Sequence, residues 1–262
     1  LVGAHGFTFN NNTIYSHNQW NYLDPQYTLA PFKLHRVNSD LTYRDSLSIP
    51  NTSYVLDMIH IGNYGYILDC GTANTFNRQP AKLFRINLVA PTMTYELLYQ
   101  TSYNCTQGSL SYYDGKLYAT LNGVETDLTK KLVEFELTNH TILRELSFPE
   151  NTLYDINHAR ILAGNKLALA YHRNGNVPNN RLFIVDLDTF TILSTTNGLT
   201  DTTDDKAYDS ITNIGILGVD HAPERIIKID FNNNTAVQEP LPVNVTENKA
   251  IWNVANYNLN VE

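Results

Sequence analysis

Three histidines fall at similar positions in three recurring stretches of the chain: His5 in VGAHGFTFNNNTIYSHN, His60 in YVLDMIHIGNYGYILDCGT and His158 in YDINHARILAGNKLALAYHRN. Imidazoles brought together from separate strands can bind a metal or an anion. They can equally stand apart, each with its own hydrogen bond, and two further stretches carry Tyr112 and Asn213 at the corresponding place. A second set of polar residues ends the strands that follow: His17, Asp69, Asn122, His172 and Asp220, with His221 beside the last. An aspartate and a histidine from different strands can pair for general acid–base work. Polar residues at strand ends also cap turns, which is the plainer expectation. The run Asp201-Thr202-Thr203-Asp204-Asp205 offers oxygens that suit calcium, yet it lacks the glycine and terminal glutamate of a calcium loop and reads as a solvated surface loop. Calcium or another metal is therefore a secondary reading, and no cofactor is required. Phosphate loops, HExxH and the nucleophile elbow are all missing from the sequence, which sets an enzyme behind a binding module.

Cys70 and Cys105 are too few for a disulfide framework or a four-thiolate zinc site. They read either as one disulfide joining neighbouring repeats or as two buried thiols. Six Asn-x-Ser/Thr sequons begin at Asn11, Asn51, Asn104, Asn139, Asn233 and Asn244, about what chance placement gives. They permit glycosylation, and Asn139 and Asn233 fall in short turns between predicted strands. The chain starts at Leu1, as a processed mature protein or an excised fragment would. These features set the expectation of an extracellular or cell-surface protein. A formal net charge of -8, with Lys130-Lys131 the nearest thing to a basic cluster, argues against nucleic acid as a partner. No uninterrupted apolar stretch is long enough to span a membrane as a helix.

The elements that must position these residues come from a repeat. KLHRVNSDLTYRDSLSIP begins at Lys33, KLFRINLVAPTMTYELLY at Lys82 and KLVEFELTNHTILRELSFP at Lys131. RLFIVDLDTFTILSTTN begins at Arg181 and RIIKIDFNNNTAVQEPLP at Arg225, so the anchoring cations are spaced 49, 49, 50 and 44 residues apart. Each copy alternates apolar and polar residues with period two, breaks at a polar turn, and resumes as a second strand. Between the copies lie further strand pairs with turn signals at Asn63-Tyr64-Gly65, Asp114-Gly115 and Gly164-Asn165. Four strands per repeat predict an all-β, five-bladed β-propeller of four-stranded antiparallel blades, as one domain over residues 1–262. Blades packed side by side hide both apolar faces of each sheet and leave only short edges. The last stretch, AIWNVANYNLNVE, is one more strand that either completes a blade or pairs with another molecule.

The segment RLFIVDLDTFTIL resembles YVTN-type propeller repeats, and Tyr64–Leu88 is faintly similar to the yellow and royal-jelly family, without that family's later cysteine. Gluconolactonase-like propellers hold calcium with a spaced Glu, Asn and Asp set that has no counterpart here. The resemblances imply the architecture and leave activity to be argued from a site. The leading expectation is a secreted, glycosylated binding, surface or self-assembling module, contacting protein or glycan ligands or other copies of itself. The alternatives are a metal-assisted hydrolase or lactonase at an axial channel, and a lectin.

Overall fold

The structure, a computed structural model, describes residues 2–10, 13–21, 29–38, 40, 42–50, 52, 55–71, 78–123, 130–148, 155–172, 180–199, 202–219 and 225–240. Side chains are described from 33 onward, apart from those at 70–71, 78, 106–107, 155–159, 171–172, 180 and 202–205. Contacts gather the chain into two compact units, Leu1–Ser147 and Phe148–Glu262. Each is described by itself.

The first unit carries three blades. Blade 1 is β1(Val2–Asn10), β2(Thr13–Asn21), β3(Leu29–Asn38) and β4(Tyr43–Ser48), hydrogen-bonded in that order. Blade 2 is β5(Val55–Ile61), β6(Tyr64–Gly71), β7(Arg78–Asn87) and the first half of β8(Thr94–Tyr113). The second half of β8 opens blade 3, which continues through β9(Lys116–Gly123), β10(Lys130–Glu136) and β11(Ile142–Ser147). One long strand thus serves as the outer strand of one blade and the inner strand of the next. Thr101 supports the crossover: its hydroxyl accepts from the Ala81 N–H at 2.9 Å and donates to the Tyr103 carbonyl at 2.6 Å.

The second unit carries two blades. Blade 4 is β12(Asp155–Ala163), β13(Lys166–His172), β14(Asn180–Asp186) and β15(Thr191–Leu199). Blade 5 is β16(Thr202–Asp209), β17(Ile214–Val219), β18(Arg225–Asp230) and β19(Thr235–Pro240). Every pairing is antiparallel. The five anchoring cations lie in the third strand of each blade, where the repeat predicts them.

Period-two alternation becomes packing in a direct way. In β6, Tyr66 and Leu68 turn into a core shared with Leu110, Leu117, Ala119, Val133 and Phe135 of blade 3. Ile67, between them, turns the other way into a core shared with Leu34 and Ile49 on the blade 1 side. In β14 of the second unit, Leu182 and Ile184 meet Leu217, Ile227 and Ile229 of blade 5. Side chains pointing to opposite faces are both buried because a neighbouring blade covers each face.

The hairpins are locked by a repeated device. The amide of the residue six after the anchor donates to the carbonyl of an asparagine in the inner turn. The pairs are Leu88 to Asn63 (3.1 Å), Leu187 to Asn165 (2.8 Å) and Phe231 to Asn213 (3.1 Å). One residue earlier, Asn87, Asp186 and Asp230 each accept two turn amides through a side-chain oxygen. Asp114-Gly115 and Gly164-Asn165 form the expected inner turns, Asp114 and Gly115 both with positive φ. The turn expected at Asn63-Tyr64-Gly65 instead sits at Gly62-Asn63, because Ile61 and Tyr64 already pair.

Candidate functional site

The strand register separates the histidines expected to share a level. His60 lies one residue before the pair that closes its inner hairpin, Ile61↔Tyr64. His5 and His158 each lie five residues before theirs, Asn10↔Thr13 and Ala163↔Lys166. Four residues of strand amount to about 13 Å, so His60 is not level with the other two within the blade. All three inner strands also carry register shifts, at Ala4/Gly6, at Val55/Asp57 and between Ile156 and Arg160. Tyr112 and Tyr208 are the true counterparts of His60, each one residue before its closing pair. Nε2 of His60 is buried with no hydrogen-bond partner among the described residues.

At the strand ends, Asn122 and His172 stand six residues into their strands, Asp69 five and His17 four. Asp69 and Asn122 are fully buried. Asp220 and His221 lie outside the described residues, as do Asp201 and the sequons at Asn11, Asn51 and Asn244. Thr202–Asp205, expected as a loop, instead opens β16, which bulges between Thr202 and Lys206 before pairing regularly. Asn104, Asn139 and Asn233 are exposed. Cys105 is buried in β8 opposite Gly123, and Cys70 lies in β6 with its side chain outside the described set. No three His, Cys, Asp or Glu side chains among the described residues are grouped to hold a metal.

A different set of residues recurs, one in each blade, at the position three after each anchor. It holds Arg36, Arg85, Glu134, Ile184 and Lys228. Four of the five ion-pair with the neighbouring outer strand: Arg36 with Asp45, Arg85 with Glu96, Glu134 with Arg144, and Lys228 with Glu239 at 4.0 Å. Glu134, 1% exposed, also meets Lys116 at 3.2 Å. In blade 4 the pair is absent, and Ile184 faces Ser194.

Two of these cations also reach forward into the next blade. Arg36, 2% exposed, donates to the carbonyls of Leu88 (2.8 Å), Ala90 (2.9 Å) and Pro91 (2.9 Å) while gripping both oxygens of Asp45. These carbonyls belong to the outer turn of blade 2. Arg85 reaches the outer turn of blade 3, where it meets Nε2 of His140 at 2.9 Å. Glu96 lies 2.6 Å from the Arg85 Nη2 and 3.8 Å from the His140 Nδ1. The Arg85 guanidinium also lies 4.6 Å over the Tyr64 ring. Burial pushes the Tyr66 hydroxyl above its ordinary value, with Arg85 pulling the other way. In the second unit Lys166 does the comparable work, donating to the Phe231 carbonyl of blade 5 at 2.5 Å.

Tyr64, Tyr66, Arg85, Glu96 and His140 thus form a half-exposed polar-aromatic joint between blades 2 and 3. Its chemistry follows from which group can donate. A guanidinium has no acceptor, so Nε2 of His140 must accept and the neutral ring carries its proton on Nδ1, toward Glu96. Burial, and then the Arg85 charge, hold the His140 imidazole below its ordinary value, while Glu96 opposes them. The free lone pair is already used by Arg85, so this histidine takes up a proton only by releasing the guanidinium. His140 also has a positive φ of 54°, a value shared at the same turn position by Phe190 (57°) and Asn234 (54°). Arg36 and Arg85 were discoverable in the repeat as the charged residue inside an apolar third strand.

Comparison with known proteins supports the architecture. The chain is a β-propeller protein. It is similar to the β-propeller domain of Cps50 (Swd1) from Myceliophteria thermophila, with a TM-score of 0.56 and 11% identity over 87% of this chain and 65% of that one. It is also similar to the Dos1 propeller, with a TM-score of 0.60 and 8% identity over 93% of this chain and 60% of that one. The chain therefore spans less than two thirds of either structure. No family model matches the sequence. No curated protein matches it either.

Proposed function

We propose that this propeller is an extracellular or cell-surface binding module that works by protein contact along its outer strands, with other copies of itself among the partners. The observation that carries this reading is where the exposed apolar side chains lie. Tyr95 and Leu97 on β8, Ile142 and Leu143 on β11, Leu193 on β15 and Val237 on β19 all stand 37% exposed or more. Outer strands have one hydrogen-bonded edge, and apolar side chains there favour pairing or packing with another chain. The exposed sequons at Asn104, Asn139 and Asn233 fit the same compartment.

A photoreactive residue placed at Leu97, Leu143 or Tyr112 of the full chain on producing cells tests the reading. Tyr112 is also exposed but lies on the inner half of β8. Polypeptide adducts are expected at Leu97 and Leu143 and not at Tyr112, and mass spectrometry of the adduct tells a second copy from another protein. Adducts at none of the three, or equally at all, would count against the outer strands.

A further inference from the structure

The outer hairpins of blades 3 and 5 are built alike at their tips. Asn139 and Asn233 each stand eight residues after the anchoring cation, and both are exposed. The Asn139 Nδ2 donates to Glu136 Oε2 at 3.0 Å, and the Asn233 Nδ2 to Asp230 Oδ2 at 2.7 Å. In both hairpins the carboxylate belongs to the residue five after the anchor. The next residue, His140 or Asn234, is left-handed, with φ of 54° in each case. Thr141 or Thr235 then leads into the outer strand, so each tip reads Asn-x-Thr.

We infer that Asn139 and Asn233 are an equivalent pair of N-glycan acceptors, one at the tip of each of these two hairpins. This rests on the extracellular reading, since only a chain entering a secretory compartment meets the donor. The amide Nδ2 bonds to the anomeric carbon of a lipid-diphosphate-linked oligosaccharide. The bond from that carbon to the diphosphate oxygen breaks, the lipid diphosphate leaves, and one amide proton is lost to solvent. An amide has two hydrogens. The second stays and keeps its bond to Glu136 or Asp230, so the turn retains its cap after modification. Nothing apolar is uncovered, because Thr138 and Asn139 in one tip and Asn232 and Asn233 in the other are exposed. Asn104 offers a contrast: it too is exposed, but it sits within β8 opposite Pro80 and next to buried Cys105. Glycans at the two tips cover the hairpin ends and leave the sides of the outer strands for protein contact.

Blade 4 supplies a built-in control. Its equivalent tip reads Thr189-Phe190-Thr191, with Phe190 left-handed at 57°, and the Thr189 amide already donates to Asp186. The substitution Thr189→Asn creates a sequon in the same geometry. The full chain, secreted from eukaryotic cells behind an added leader, is expected to carry glycans at Asn139 and Asn233 in site-resolved glycopeptide mass spectrometry. The Thr189→Asn variant is expected to gain one more. Secreted protein bare at Asn139 or at Asn233, or a Thr189→Asn chain with no added glycan, would overturn the pairing by geometry. Protein from its own source with every sequon bare, beside an occupied recombinant chain, would instead sink the extracellular reading.

Discussion

Arg36 and Arg85 occupy the same place in successive blades, and they finish differently. Both pair with a carboxylate on the outer strand and both extend into the outer turn of the next blade. Arg36 finds three backbone carbonyls there, which no change of pH can alter, and it is 2% exposed. Arg85 finds one imidazole and is 23% exposed. A cation reaching forward is thus a general way to fasten one blade to the next, and the acceptor decides whether the fastening is permanent. Blade 3 shows how far the device can be altered. Its charge is reversed, and Glu134 spends its two oxygens within the blade on Arg144 and Lys116.

The largest expected effect comes from breaking the closed joint. Arg36→Met takes the guanidinium from Asp45 and its donors from three turn carbonyls. Removing one partner of a buried pair costs about 3–5 kcal/mol. Asp45 is 26% exposed and partly recovers water, so about 3 kcal/mol is expected as a lowered denaturant midpoint. A loss under about 1 kcal/mol would reduce the Arg36 joint to a surface ion pair. Next comes the apolar seam beneath the open joint. A Cβ on Gly108 would stand 2.4 Å from the Thr120 carbonyl oxygen and 2.6 Å from Leu68 Cδ2. Gly108→Ala is expected to cost about 1–3 kcal/mol, as overpacking does, and an unchanged melting temperature would show that blades 2 and 3 yield at this seam. Arg85→Met, at a joint already wet, should cost about 1 kcal/mol or less. A cost matching Arg36→Met would erase the distinction between the two joints.

Much of this was legible beforehand. The five anchors fall in β3, β7, β10, β14 and β18 because the third strand is paired along both edges and carries the repeat's alternation, as in β18, where Ile227 and Ile229 are buried while Arg225 and Lys228 are exposed. The inner strands were harder to align. Counting residues from a shared tyrosine or histidine placed His60 beside His5 and His158, although their distances to the hairpin-closing pair differ by four residues. The forward reach of Arg36 was invisible for another reason. Its partners are carbonyls, which every residue possesses, and no side-chain type marks Leu88, Ala90 or Pro91 as acceptors. His140 could have been singled out, since a turn position that elsewhere holds Phe190 or Asn234 here holds a titratable ring.

That ring gives the smallest effect and the sharpest separation of the two joints. Above about pH 6.5 His140 is neutral whether the chain is folded or not. As pH falls, the unfolded chain takes the proton first, because burial and Arg85 hold the folded value lower. Stability therefore declines as pH drops below about 6.5 and levels off once the folded form is protonated too. Protonation at Nε2 also sets two cations face to face, with Glu96 the carboxylate between them and Tyr64 and Tyr66 the remaining titratable neighbours. His140→Asn keeps a residue that tolerates positive φ and keeps the Asn139 sequon, while removing the titration. His35, lowered by burial and by Lys33, gives a background slope of the same sign in both proteins. The wild type should accordingly lose more stability than His140→Asn between pH 7 and 5, by a few tenths of a kcal/mol given the exposure of Glu96. Superimposable pH profiles of the denaturant midpoint would mean that Arg85 is held by Glu96 and Tyr64 alone, and that the imidazole is a bystander.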